Sequence, residues 1–172
     1  MTYSIRLIQP EDNAAIAQLI VQVMAEYGCS GEGYACNDPE TQAMSEAYQS
    51  SDSRYWVVVE DSSGRIVGGG GFSRLKGTTE TEAVCELQKL YFLPEVRGQG
   101  VGKRLLSLAI NQAARLGYRD MYLESLPQME KAMSMYEKFD FQPLIAPMGN
   151  TGHYNCTIFM CRSLEPATSS RS

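Results

Sequence analysis

The sequence predicts an α+β (mixed α/β) layer fold in which helices interrupt a mixed sheet. Three observations carry this. Short runs of β-branched and aromatic residues, such as Tyr55-Trp56-Val57-Val58-Val59, recur along the chain. Between them lie segments with apolar residues at helical spacing, the first through Ile16, Leu19, Ile20, Val23, Met24 and Tyr27. The length, 172 residues, suits one domain with a full core. Residues 1–164 are expected to form that domain. The tail 165–172, with nothing apolar to bury, is expected to be disordered.

The elements follow in order. Ser4 to Ile8 is a strand that ends at Pro10, whose fixed φ opens a helix with Glu11 and Asp12 at the positive end of its dipole. Cys29 to Asn37 is a loop, and a weaker helix is expected over 39–49. Tyr55 to Val59 pairs with a strand from Ile66 through the turn Asp61-Ser62-Ser63-Gly64. The second arm of this hairpin holds Gly68 to Gly71, which implies either a bulge or a neighbour in close approach. After the turn Gly77-Thr78-Thr79-Glu80, Ala83 to Phe92 is the longest strand, broken by Leu93-Pro94-Glu95. A helix then runs through Val101, Leu105, Leu108, Ala109 and Leu116, with Gly117 at C′. Arg119 to Glu124 is a strand, Gln128 to Phe139 a helix, and Phe141 starts another strand. Ala146 to Gly152 is a loop, and Tyr154 to Arg162 is the last strand.

Chemistry concentrates at Arg97-Gly98-Gln99-Gly100-Val101-Gly102, between a strand and a helix. Each glycine inside a helix costs about 1 kcal/mol relative to alanine. Packing gives no reason for three in five residues, whereas a ligand in close approach to bare backbone does. A strand entering such a turn and then a helix aims free N–H groups and the helix dipole at one spot, which suits phosphate or pyrophosphate. Arg97, Lys103 and Arg104 add positive charge beside it. A P-loop would need Ser or Thr after Gly102-Lys103, and the chain has Arg104. A dinucleotide fold would place the turn after the first strand, with an acid about 20 residues later. Here it follows the fourth strand, and Gly117-Tyr118-Arg119 stands where the acid belongs.

The pattern Arg97-x-x-Gly100-x-Gly102 resembles the pyrophosphate motif of the GNAT superfamily of N-acetyltransferases. The stretch from Cys85 to Arg97 is similar to that family's fourth strand and its approach to the motif. Ala132 to Phe141, with Tyr136 ahead of Phe139 and Phe141, resembles its second signature. The likeness spans about Ile5 to Leu164. It implies a GNAT-like central mixed, mostly antiparallel sheet of six to seven strands, flanked by about four helices and splayed between strands 4 and 5.

The resemblance also implies roles. Acetyl-CoA would be the co-substrate, with its pyrophosphate held by Arg97, Gly98, Gln99, Gly100, Val101, Gly102 and Lys103. The backbone of Leu90 and Phe92 would meet the pantetheine arm and thioester carbonyl, where amides stabilise an oxyanion. Tyr136 matches the tyrosine that protonates the departing thiolate; its ordinary pKa of about 10 lies near that of a thiol. Glu86 holds the place of a general-base glutamate. An alkyl ammonium loses its proton at pH 7 at a cost of about 4.6 kcal/mol, so a carboxylate acceptor answers a real need. His153, the single histidine, enters the last strand from an edge that lines the acceptor pocket in relatives. Two positions depart from the family: Met129 stands where an arm-contacting asparagine is common, and Asp140 where a glycine is common.

Composition bounds the rest. No apolar run approaches the roughly 20 residues of a membrane span, and the N-terminus lacks the form of a signal peptide, so a cytoplasmic protein is expected. Five cysteines without a C-x-x-C pair argue for buried thiols over a disulfide framework. One histidine supplies a Cys/His zinc site poorly, so no metal is expected. A net charge of −5 argues against nucleic acid as a partner. Between Glu26 and Asp61 the chain carries eight acids against Arg54 alone, which reads either as a solvated face or as a field that draws cationic substrates; the resemblance, which puts part of the acceptor cleft here, implies a cationic amine acceptor. A homodimer is an expectation from relatives. The competing reading is a non-catalytic acyl-CoA-binding sensor on the same fold, which would need neither Glu86 nor Tyr136.

Overall fold

Pro10-Glu11-Asp12 forms a 3-10 turn that leads into α1 (Asn13–Glu26). Asp12 caps that entry from a nearly buried position, taking the Gln9 N–H at 2.8 Å and the Arg6 guanidinium at 2.7 and 2.9 Å. The computed structural model describes residues 1–164, so the expectation of a disordered tail lies outside the described residues. The strands are β1 (Tyr3–Leu7), β2 (Arg54–Glu60), β3 (Ile66–Arg74), β4 (Val84–Phe92), β5 (Asp120–Ser125), β6 (Gln142–Leu144) and β7 (Ile158–Ser163). With α2 (Met44–Ala47), α3 (Val101–Arg115) and α4 (Glu130–Lys138) they build a seven-stranded sheet in the order β1-β2-β3-β4-β5-β7-β6. Every neighbouring pair is antiparallel except β4 and β5.

That parallel pair is short. Val84, Cys85 and Glu86 lie against Asp120, Met121 and Tyr122, and beyond Glu86 the two strands separate. The remaining two-thirds of β4 therefore has a paired edge toward β3 and an open edge where β5 has left. The splay expected between the fourth and fifth strands is present.

The glycine run in β3 combines both alternatives that the sequence allowed. The β3–β4 register shifts between Gly69 and Gly71, opposite Lys89, whose φ of 51° marks a bulge in β4. Neighbours also fill the space that side chains would take. A Cβ on Gly71 would lie 2.1 Å from the Arg54 carbonyl oxygen, and one on Gly68 would lie 2.4 Å from the Phe92 ring. Alternation puts α1 on one face, with Ile16 against Gly69, and α3 on the other, with Leu105 against Gly70.

α3 ends in a paired cap. Gly117, at φ 95°, donates to the Ala114 carbonyl and Tyr118 to that of Ala113, as the C′ glycine predicted.

Three boundaries differ from expectation. The helix over 39–49 is a 3-10 turn at Pro39–Gln42 and a single α-helical turn at α2, separated by Ala43 at φ −142°. The break is local: Asn13 Oδ1 accepts the Ser45 N–H at 2.8 Å, tying this segment to α1 in place of a helical bond. The last strand begins at Ile158, not Tyr154, because residues 145–157 form one long loop. The strand after Phe141 is only three residues.

Candidate active site

The turn after β4 opens at the N-terminus of α3. Gly98 and Gly100 have φ of 79° and 83°, and a Cβ on either would meet nothing within 4 Å. Their conformation demands glycine, and the space beside them is open. Gly102 differs: it is helical, and a Cβ there would approach the Phe92 ring at 3.4 Å and Met135 sulfur at 3.5 Å. Among the described residues no hydrogen bond to protein engages the amides from Gly98 to Gly102; the first that bonds back is Arg104, to the Gly100 carbonyl at 3.1 Å. This is an anion cradle of backbone N–H groups with the α3 dipole behind it.

The basic side chains divide. Lys103 is exposed beside the cradle. Arg104 reaches back to the Tyr3 carbonyl at 3.4 Å. Arg97 clamps the turn instead of hanging over it. Its Nε donates to the Phe92 carbonyl at 3.0 Å, its Nη1 pairs with Glu26 at 2.9 Å, and its guanidinium lies 5.9 Å from the Tyr27 ring centre. Its Nη2 is buried without a partner. Gln99 closes the loop by donating to the Glu95 carbonyl at 2.7 Å.

The open edge of β4 leads from the cradle into the splay. Leu93 donates to the Val67 carbonyl at 2.9 Å, so strand alternation turns the main-chain groups of Leu90 and Phe92 away from β3, toward the gap. Their side chains lie on the α3 face, Leu90 over Gly70 and Phe92 over Gly68 and Gly102.

On the α1 face the same gap exposes a polar cluster. Glu86 is 4% exposed and lines a small cavity with Gln88, Lys89, Glu124, His153 and Cys156. Its Oε1 accepts the Gln88 amide at 2.6 Å, and Gln88 in turn accepts the Tyr48 hydroxyl at 2.5 Å. Its second oxygen has no hydrogen bond among the described residues. Burial raises the Glu86 carboxyl to about 6, against the Gln88 hydrogen bond. Glu124, on β5, accepts from Thr151 at 2.5 Å and Tyr122 at 2.6 Å, and its Oε1 is 3.7 Å from His153 Nδ1. His153 Nε2 meets Asp38 at 2.8 Å. Burial opposes charge on this imidazole, but Asp38 and Glu124 outweigh it and raise His153 to about 9. Lys89, buried at its bulge, is held by Asp38 at 2.8 Å and Glu40 at 3.4 Å.

The structure thus brings Glu86 and His153 into one cluster, beside the main-chain edge of Leu90 and Phe92. Tyr136 lies outside that cavity, buried on α4 with its ring edge-on to Phe141 at 5.8 Å. Its hydroxyl has no hydrogen-bond partner among the described residues, and burial holds its pKa well above the ordinary phenol value. Glu124, Asp38 and Lys89 were not singled out in the sequence. Glu124 closes a buried strand with a charge, which is the signal that marks it; Asp38 and Lys89 meet only through the fold. Glu86, Glu124 and His153 offer ligand atoms within 4.8 Å of one another, a grouping the single histidine did not suggest.

A family model described as the acetyltransferase (GNAT) family matches residues 14–141. An uncharacterized N-acetyltransferase of Escherichia coli K12, YjgM, is 39% identical over 160 residues, covering 92% of this chain and 93% of that protein. Among solved structures, an acetyltransferase of the GNAT family from Staphylococcus aureus Mu50 superposes with a TM-score of 0.83 at 18% identity, covering 95% of this chain and 100% of that one. A phosphinothricin acetyltransferase from Sinorhizobium meliloti, solved in complex with AcCoA, gives 0.71 at 23% identity, covering 99% and 93%. The chain belongs to the GNAT family of acetyltransferases.

Proposed function

We propose that this protein transfers an acetyl group from acetyl-CoA directly to a primary amine. The observation that carries the reading is a pairing along β4: an open amide cradle at one end and, where the splay begins, a buried carboxylate with a free oxygen. The cradle fits a pyrophosphate in charge and space, and the exposed Lys103 fits beside it. Acetyl-CoA, when bound there, supplies an activated acyl carbon and a thiolate leaving group. The relatives solved with acetyl-CoA support this choice of co-substrate.

The chain's own residues do the rest. The amides of Leu90 and Phe92 extend the open edge for an extended arm. Glu86, ionised above about pH 6, takes a proton from the acceptor ammonium so that its nitrogen lone pair is free to attack. As the C–N bond forms and the C–S bond breaks, the ammonium has given up two protons, one to the leaving thiolate and one to solvent through Glu86. Tyr136 provides a hydroxyl donor for the thiolate. Because its burial disfavours the phenolate, a hydrogen bond to sulfur suits it better than full proton transfer. All five cysteines are free, and burial pushes every thiol above its ordinary value, Cys156 to about 12 and Cys161 to about 11. None is set up as a thiolate nucleophile, which favours direct transfer over an acyl-enzyme.

A binding-only sensor would use the cradle but has no use for a buried carboxylate facing a cavity. Purified protein incubated with acetyl-CoA and a panel of amines separates the two: the enzyme releases thiol only when amine is present, and a sensor binds acetyl-CoA without turnover. Five cysteines without a C-x-x-C pair favour a cytoplasmic location. Among the described residues no helix is long and apolar enough to cross a membrane.

A further inference from the structure

The acidic stretch from Glu26 to Asp61 does not converge on the site. Glu26 pairs with Arg97, Asp52 with Arg74, and Asp61 accepts the Ser4 hydroxyl. Among the described residues, Asp38 and Glu40 are the acids of that stretch seen to reach the cluster. Any preference for charge in the acceptor therefore rests on the cluster itself, where β4 and β5 add Glu86 and Glu124.

The charges there do not balance. Four carboxylates, Asp38, Glu40, Glu86 and Glu124, face two cations, Lys89 and His153. Both cations are already committed. Lys89 has a side chain only 2% exposed and lies between Asp38 and Glu40, while His153 bridges Asp38 and Glu124. Two negative charges remain over the cluster as a whole: Glu86, with its unpartnered oxygen, has no cation of its own, and Glu124 shares His153 with Asp38.

We propose that these two carboxylates select the acceptor: it enters as an ammonium held between Glu86 and Glu124, and it is an alkylamine that carries a second positive charge and no carboxylate. This rests on the acetyltransferase reading above. The spacing admits an ammonium. Two oxygens each about 2.8 Å from one tetrahedral nitrogen stand about 4.6 Å apart. Ligand atoms of Glu86, Glu124 and His153 lie within 4.8 Å of one another, so one ammonium can reach both carboxylates. One ammonium neutralises one of the two surplus charges, and a second positive charge on the acceptor answers the other. An acceptor carboxylate would find no uncommitted cation in the cluster. Glu86 then has two uses, holding the ammonium and taking its proton, whereas Glu124 only holds.

Butylamine, 1,4-diaminobutane and 4-aminobutanoate share a four-carbon body and differ in the charge at the far end. With the full-length protein and saturating acetyl-CoA, the expected kcat/KM is about tenfold higher for the diamine than for butylamine, and lowest for 4-aminobutanoate. The diamine's advantage shrinks as ionic strength rises. Glu124→Gln lowers kcat/KM for the diamine more than for butylamine, mainly through KM. Equal rates for the diamine and butylamine, or a preference for 4-aminobutanoate, overturn the inference and leave the enzyme reading intact. Acetyl-CoA binding without turnover of any amine overturns the enzyme reading instead. The salt dependence of the unmodified protein decides the matter even if Glu124→Gln fails to fold.

Discussion

Two residues carry the chemical claim and behave differently. Glu86 is raised to about 6 chiefly by burial, so near that pH half of it is protonated and that half cannot act as a base. The rate is expected to rise with pH through about 6 and to level above it. In Glu86→Gln that acid limb disappears and kcat falls about 100-fold or more, which a pH profile of thiol release reads directly. Tyr136→Phe is expected to lower kcat with KM for acetyl-CoA little changed, because the role proposed for its hydroxyl is confined to the departing sulfur. Legibility also differed between them. Glu86 and Tyr136 could be singled out in the sequence because each occupies a motif position on its own element, and the structure places Glu86, not Tyr136, in the cavity. Glu124, Asp38 and Lys89 could not be: their partners lie in other elements, and a charge at a strand end or in a loop ordinarily means solvent. Only the splay turns Glu124 inward, and only the β4 bulge buries Lys89.

At the scale of the element, glycines separate fold from function. Gly100 and Gly117 have similar left-handed φ values, 83° and 95°, and open space around a would-be Cβ. Alanine at either is expected to cost about 1 kcal/mol through backbone strain. That loss lowers the melting temperature by a few degrees in a domain of this size. Only Gly100→Ala is expected to raise KM for acetyl-CoA as well, since Gly100 caps α3 beside the free amides. Gly71→Ala, by contrast, drives a Cβ to 2.1 Å from the Arg54 carbonyl oxygen. It is expected to cost about 3 kcal/mol, measured by denaturant unfolding. The order and type of the strands and long helices were readable from periodicity and turn residues. The segment 39–49 was not, because the Asn13 side chain takes the Ser45 N–H that a helix would have bonded, and Lys89, distant in sequence, anchors the Asp38 and Glu40 carboxylates.

For the whole molecule, one ion pair ties separate parts together across the site. His153, in the loop before β7, meets Asp38, in the segment between α1 and α2. Its folded pKa of about 9 lies above the ordinary 6.5, so its stabilising contribution is complete below about 6.5 and declines as pH rises. By about pH 9 it is spent. The melting-temperature gap between the natural protein and His153→Gln is therefore expected to narrow from pH 6.5 to 9. The β2–β3 hairpin was legible from its turn, and the separation of β4 from β5 through the family resemblance; the order of the remaining strands was not read, since neither turn chemistry nor periodicity fixes how distant strands pair. The same separation joins the phosphate cradle to the carboxylate cluster, and on that union the functional account depends. It is tested most directly by mass spectrometry of an amine incubated with acetyl-CoA and the purified protein, with free thiol counted in the same sample. The account predicts one acetylated amine for each thiol released, at a rate that collapses in Glu86→Gln. Thiol released without acetylated amine, or neither product from protein that binds acetyl-CoA, would contradict it.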